Sequence, residues 1–456
     1  MRTTASSFRK SVLQAIVLTM VILVPRGPSA LQAADDPLDP TFGKGGKVRT
    51  DFLGRSFDQA FGLALQPDGR IVAVGAVENG FGIARYDPNG SLDATFGTHG
   101  KVVTTFGGFA FAAAAAVQRD NRIVVVGTVS ADLTSPNVFG VARYNPNGTL
   151  DASFGVGGLV TTAFENASAE ARAVVIQADG RIVVAGQAVT DPDGIVSDMA
   201  IARYTANGSL DPSFDGDGRV TADLDEFDDA RAVAAAFDGT IVVAGAASHS
   251  VGFETFSDVA VLRFRNDGSP DPAFGIGGRV RTDLAGEAED ASSVMIQRDG
   301  KIVAAGTVFG DKTATTSDIG IVRYNPNGSL DPTFGAGGVV VIDPGTGADF
   351  VTSGALQRDG KIVVGSTSGH VGGLFTLTRF DSHGSLDPTF GTNGVKQGDF
   401  STPDNDPVDE LHAIAIQPDG KIVAAGLTFN FRTDGDMNFG LLRFQASGAS
   451  PTPAPR

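Results

Sequence analysis

Three short motifs recur in fixed order along the 456-residue chain, and this repetition constrains the fold more than any other feature. The first reads Leu-Asp-Pro-Thr-Phe-Gly, with its acid at Asp39, Asp93, Asp151, Asp211, Asp271, Asp331 and Asp387. The second reads Gln-Pro-Asp-Gly-Lys-Ile-Val, with its acid at Asp68, Asp120, Asp179, Asp238, Asp299, Asp359 and Asp419. The third reads Phe-Gly-x-Ala-Arg-Tyr-Asn-Pro-Asn-Gly, with its base at Arg85, Arg143, Arg203, Arg263, Arg323, Arg379 and Arg443. The period is close to 60 residues, so one unit is copied seven times.

Each copy holds four strand-like runs. In the third they are Ala171–Gln177, Arg181–Gln187, Met199–Tyr204 and Gly218–Ala222, rich in Val and Ile and bounded by Gly, Pro, Asn and Asp. The Asp-Gly pairs supply the positive φ of a hairpin turn. No helical stripe occurs after the N-terminal region. Four strands copied seven times predict an all-β fold, a seven-bladed β-propeller with four strands per blade. The first copy contributes only a last strand, near Gly46–Thr50, and the last copy lacks one after Phe439–Phe444. Pairing these two would close the ring and remove an open edge. A β-solenoid would want polar caps instead.

These units resemble the delta-60 repeat family of bacterial β-propellers, over Leu38 to Phe444. The resemblance rests on the Leu-Asp-Pro-Thr-Phe-Gly, Asp-Gly-Lys-Ile-Val and Arg-Tyr-Asn-x-x-Gly elements. Departures are local: Asp215 and Asn121 replace Gly, Pro270 replaces Leu, and Thr240 replaces Lys or Arg. The resemblance implies architecture and export. It carries over no catalytic residue.

Residues 1–34 read as a signal peptide: Arg2, Arg9 and Lys10, then the apolar run Val12–Val24, then small residues before Asp35. The expected organisation is this leader, one propeller over 35–446 and a Ser/Pro-rich tail over 447–456, secreted or periplasmic. The run is too short for an ordinary transmembrane helix. The 52 Asp+Glu against 35 Lys+Arg give a net charge of −17, which opposes nucleic-acid binding. With no Cys, disulfides, thiolate metal sites and a Cys nucleophile are excluded.

A residue present seven times is expected to build the fold. The repeated Arg needs a partner in its apolar strand, and the Asp of the first motif is the natural one. The Asn-Gly-Ser/Thr triplets at Asn89, Asn147, Asn207 and Asn327 fit glycosylation sequons but sit in a repeated turn. Function is expected on the face where connections vary, such as Thr128–Asn137, Ala188–Asp198, Ala246–Asp258, Leu427–Asn438, Asp223–Asp229, Asp343–Phe350 and Phe400–Glu410.

There Asp58, Asp228, Glu289, Asp349 and Asp409 recur at one position of the first strand, with Ala110 and Ala169 in the other two copies. If they ring the channel mouth, their oxygens suit a hard cation such as Ca²⁺. His412 beside Asp409 and Glu410 is the nearest approach to an acid–base pair. Smaller acidic groups stand at Asp191, Asp193 and Asp198, and at Asp404 and Asp406, without a full EF-hand loop. His249 and His370 fall in variable loops, and His99 and His383 on the repeated-turn face. A nucleophile elbow is absent, since Thr367 takes the Ser position of its nearest match. The chain is therefore expected to be a monomeric binding module for a protein or carbohydrate. The alternative is a metal-dependent hydrolase or lactonase-like enzyme.

Overall fold

The computed structural model describes residues 37–446 apart from 55–56, 133, 165–167, 190–195, 252–253, 285, 287, 311–315, 345–346, 370–372, 402–407 and 430–435. The leader, the tail, His370, Asp191, Asp193, Asp404 and Asp406 thus lie outside the described residues. Every regular element described is a β-strand, and no helix among the described residues is long and apolar enough to cross a membrane.

The strands form successive antiparallel sheets in chain order, and single parallel bridges, Ser197 with Phe227 and Ser257 with Ala288, join the third, fourth and fifth edge to edge. In the first, Asp58–Leu65, Ile71–Val77, Gly80–Tyr86 and Lys101–Thr104 pair each with the next. The same order recurs in sheets that begin with Phe109–Val117, Ala169–Ile176, Phe227–Ala235, Ala288–Glu289 with Ser293–Ile296, and Asp349–Leu356. The last sheet takes Val408–Ile416, Ile422–Phe429 and Met437–Phe444, and its fourth strand is Lys47–Thr50 from the other end of the chain. There Lys47 stands opposite Leu442 and Thr50 opposite Phe439.

In the third copy the observed strands are Ala169–Ile176, Ile182–Val189, Ser197–Tyr204 and Arg219–Ala222, within two residues of expectation. The fourth sheet departs more. Its second and third strands run over Ile241–Val251 and Glu254–Phe264, so Ala246–Asp258 is largely a long hairpin rather than a loop. The pairs Ser248 with Ser257, His249 with Phe256 and Ser250 with Thr255 carry the ladder outward, and the His249 and Phe256 rings stack at 5.8 Å.

Turn chemistry follows the motifs. Gly180 of the Ala-Asp-Gly turn has φ +89°, where a side chain would be strained. Asn121 and Asp215, which replace Gly, take φ 65° and 50°, conformations that Asn and Asp tolerate best.

The core lies between sheets rather than within one. Phe81, Ile83 and Phe96 of the first sheet pack against Ala112, Val125 and Tyr144 of the second. The pattern continues sheet by sheet. A further cluster joins Val423, Phe439 and Leu441 of the last sheet to Phe42, Ile71 and Tyr86. Tyrosine hydroxyls reach back across the same gaps, Tyr86 to Thr50 at 2.8 Å and Tyr204 to Thr162 at 2.7 Å.

The repeated Arg meets the repeated Asp in every copy. The closest contacts are 2.7 Å for Arg323–Asp331, 2.7 Å for Arg85–Asp93, 2.8 Å for Arg143–Asp151, Arg263–Asp271 and Arg379–Asp387, and 2.9 Å for Arg203–Asp211 and Arg443–Asp39. Each guanidinium also donates to a backbone carbonyl of the following sheet's turn, as Arg203 does to Asn266 and Arg443 to Pro88. A Phe ring lies under it, 4.7 Å away for Arg203 over Phe214. One side chain therefore serves both the turn of its own copy and the joint to the next.

Candidate functional site

Six of the first strands carry a β-bulge at one position, where two residues oppose one on the partner strand. The extra residues are Phe61, Ala113, Arg172, Arg231, Thr352 and His412. In the remaining sheet the strand breaks over Asp290–Ser292 instead. Two positions before the bulge stand Gln59, Phe111, Glu170, Asp229, Phe350 and Glu410. A frame that copies its turns and its Arg–Asp pairs thus places unlike residues here.

These residues reach across the sheet joints. Arg172 Nε lies 2.9 Å from Asp229 Oδ1, and Arg231 Nε lies 3.0 Å from Asp229 Oδ2. Arg231 also binds Asp290 of the fifth sheet. Glu170 accepts from Asn137 at 3.3 Å. The Phe61 and His412 rings meet edge to face at 5.0 Å, joining the first and last sheets. His412 Nε2 is 3.8 Å from Glu410 Oε2, too long for a hydrogen bond, and is buried without a hydrogen-bond partner among the described residues. The joints of the third, fourth and fifth sheets are therefore charged here, and the joint of the first and last is aromatic.

The five carboxylates expected at the mouth do not converge. Each is buried in its own sheet. Asp58 accepts the Phe52 N–H at 2.8 Å, Asp228 that of Leu224 at 2.5 Å, Glu289 that of Gly286 at 2.6 Å, and Asp409 that of Phe400 at 2.7 Å. Asp349 accepts the Ser368 hydroxyl. All but Asp349 fasten the connection that precedes the strand. Among the described residues, carboxylate oxygens gather closely in two places, Asp198 with Asp223 and Asp228, and Asp258 with Asp283 and Glu289. Each group takes one of the five. The unlike set near the bulge, missed by the sequence, lies one residue further on, because neighbouring strand residues point to opposite faces.

Other expected positions are plain. His99 and His383 are exposed in turns. His249 Nδ1 lies 3.5 Å from Asp225 Oδ2. A shallow cavity of about 470 Å³ opens on the repeated-turn face, lined by Gln118, Ile176, Gln177, Ala235 and Phe237, and Phe237 is 95% exposed.

Burial sets the protonation of the site. It pushes the Asp409 carboxyl up to about 7, against the Phe400 N–H and with Asp399 adding repulsion. It pushes Glu289 up to about 7 and Asp228 up to about 6, with neighbouring Asp side chains adding to both. It pushes Glu410 upward and His412 down to about 4. For Asp409, the stabilising effect is complete below the ordinary carboxylate range and is lost as pH rises through 7. For His412 it is complete above about 6.5 and is lost as pH falls through 4. We therefore expect Asp409→Asn to remove a fall in stability of roughly 4 kcal/mol spread between about pH 4 and 7. His412→Gln removes a loss on the acid side. Urea midpoints measured across pH 4–8 check both; unchanged slopes in both variants contradict the assignment.

A sequence profile described as "Domain of unknown function (DUF5122) beta-propeller" matches residues 66–96, 118–154, 177–214, 238–274, 297–334, 357–390 and 417–449. No curated protein matches the chain. Among solved structures, a protein of unknown function from Dyadobacter fermentans aligns at 12% identity over 89% of this chain and 100% of its own, with TM-score 0.42. A gluconolactonase from Xanthomonas campestris aligns at 15% identity over 78% and 99%, with TM-score 0.37. The β-propeller domain of the trilobed protease from Pyrococcus furiosus aligns at 10% identity over 89% and 100%, with TM-score 0.42. The profile covers more than half of the chain in seven copies, so this protein belongs to that β-propeller family of unknown function.

Proposed function

We propose that the chain is an exported, non-enzymatic propeller of the delta-60 kind, seven blades closed by Lys47–Thr50, that binds an organic cation on its inner surface. Ring closure is supported by the order of contacts: each first strand touches the next, and Val408–Ile416 touches Asp58–Leu65. Arg443 adds a bond from the last sheet to the Pro88 carbonyl of the first. Export is supported by the basic and apolar N-terminal run alone.

The observation that carries the binding reading is the unlike set at the bulge, in a frame otherwise repeated. Three carboxylates, Glu170, Asp229 and Asp290, lie against two guanidiniums, Arg172 and Arg231, and Glu410 adds a fourth beside His412. His412 is neutral at pH 7, given its lowered pKa. The surface is therefore net negative, and Phe61, Phe111 and Phe350 are each partly open to solvent. Aromatic faces beside acids attract ammonium and guanidinium groups. The chain's overall negative charge steers cations to it. Thermal unfolding with choline, spermidine and arginine amide, against neutral sugars and organic acids, tests this. A rise with a cation alone is expected. A rise only with sugars or acids, or none at all, overturns it.

A further inference from the structure

The joint between the third and fourth sheets gathers three carboxylates. Asp198 lies in the strand Ser197–Tyr204, Asp223 follows the strand Arg219–Ala222, and Asp228 lies in the next sheet's first strand. One oxygen from each lies within 4.8 Å of the others. Two oxygens on opposite sides of an ion, each about 2.4 Å away, would stand about 4.8 Å apart. Asp228 has no solvent exposure. Its Oδ2 accepts the N–H groups of Leu224 at 2.5 Å and Asp225 at 3.0 Å. Its Oδ1 is buried with no hydrogen-bond partner among the described residues. Leaving such an oxygen bare is costly, and two further carboxylates beside it add repulsion.

Asp318, Asp343 and Asp349 stand at the same three positions between the fifth and sixth sheets, and two other joints carry a positive group beside their acids. Asp258, Asp283 and Glu289 also gather within 4.8 Å, but Arg281 Nη2 lies 2.7 Å from Asp258 Oδ2 and brings a cation of the chain's own. At the joint before the last sheet, Leu374 stands where Asp198 would be, and Lys47 Nζ lies 3.7 Å from Asp399 Oδ1. A positive group thus accompanies the acids at both.

We propose that Asp198, Asp223 and Asp228 bind one hard divalent cation, Ca²⁺ by oxygen chemistry, which clamps the third sheet to the fourth. Asp223 is exposed, so water can complete the six to eight oxygen ligands that Ca²⁺ takes. The site lies between sheets and uses different side chains from the proposed organic-cation surface, although Asp228 precedes Asp229 in one strand.

The test is calorimetric titration of the full chain, stripped with chelator, with CaCl₂ and separately with MgCl₂ at pH 7.5. One Ca²⁺ per chain is expected, with a higher unfolding midpoint in its presence. Asp198→Asn and Asp223→Asn, which spare the buried Asp228, each weaken binding at least tenfold while circular dichroism keeps its β signature. Asp258→Asn leaves the stoichiometry at one. Absence of binding at millimolar Ca²⁺, two ions per chain, or binding that survives both Asn substitutions together overturns the inference.

Discussion

Replacing Arg203 with alanine lowers the free energy of unfolding by about 3–5 kcal/mol, the cost of breaking a buried ion pair from one side. Arg203 is 1% exposed. Its guanidinium binds Asp211 at 2.9 Å and Ser213 at 3.0 Å, and reaches the Asn266 carbonyl of the next sheet. Its removal leaves Asp211 with Arg181 at 2.8 Å, a half-exposed partner that offsets part of the loss. Burial opposes the Asp211 charge, while hydrogen bonds from Ser213 and the Arg203 charge hold its carboxyl below the usual range. Arg203→Lys keeps the charge but not the three-way fork, so it restores only part of the stability. Arg263→Ala costs less, because Arg263 and Asp271 are already 13% and 15% exposed. Urea unfolding of the three variants measures this order. Arg203→Ala within 0.5 kcal/mol of the parent, the range of ordinary surface changes, would show that the fork is dispensable.

Deleting residues 35–50 has a larger effect: the chain loses its cooperative transition or aggregates. Phe42 is fully buried in the cluster with Val423, Phe439 and Leu441, and Phe42→Ala alone costs about 3–5 kcal/mol. Asp39 leaves with the segment and strands the buried Arg443 guanidinium. Met437–Phe444 loses its partner and becomes an open edge, ready to pair with another chain. Together these losses rival the whole stability of an ordinary domain, about 5–15 kcal/mol. A peptide of residues 35–50 supplied in trans should recover part of the transition. A truncated chain that melts like the parent would mean that Lys47–Thr50 does not close the fold.

Strands, turns and Arg–Asp forks were legible because they are copied seven times, and a signal repeated at one spacing survives local noise. The long hairpin of the fourth sheet was not. Ala246–Asp258 mixes Ser, His, Gly and Glu, and the ladder continues through side-chain pairs that only the register reveals. The unlike set near the bulge was hidden for a sharper reason. Asp228 and Asp229 are neighbours, yet one caps the preceding connection and the other binds Arg172 of the previous sheet. A shift of one residue flips the face of a strand. The bulge adds a second flip a few residues later, and nothing in Ala-Arg-Ala or Leu-His-Ala marks the middle residue as the extra one. Contacts between copies, such as Phe61 with His412, have no sequence spacing to give them away.

The separation between copied and uncopied positions underlies the functional account. The copied residues hold the frame, and the uncopied ones are proposed to form one acidic and aromatic surface. The direct test is calorimetric titration of the chain with spermidine and with choline at low salt, repeated with Phe61→Ala and Glu410→Gln. The account predicts saturable binding of at least one cation, weakened tenfold or more in each variant and further weakened by salt. Absence of binding by both cations, or binding of equal strength in both variants, would contradict it.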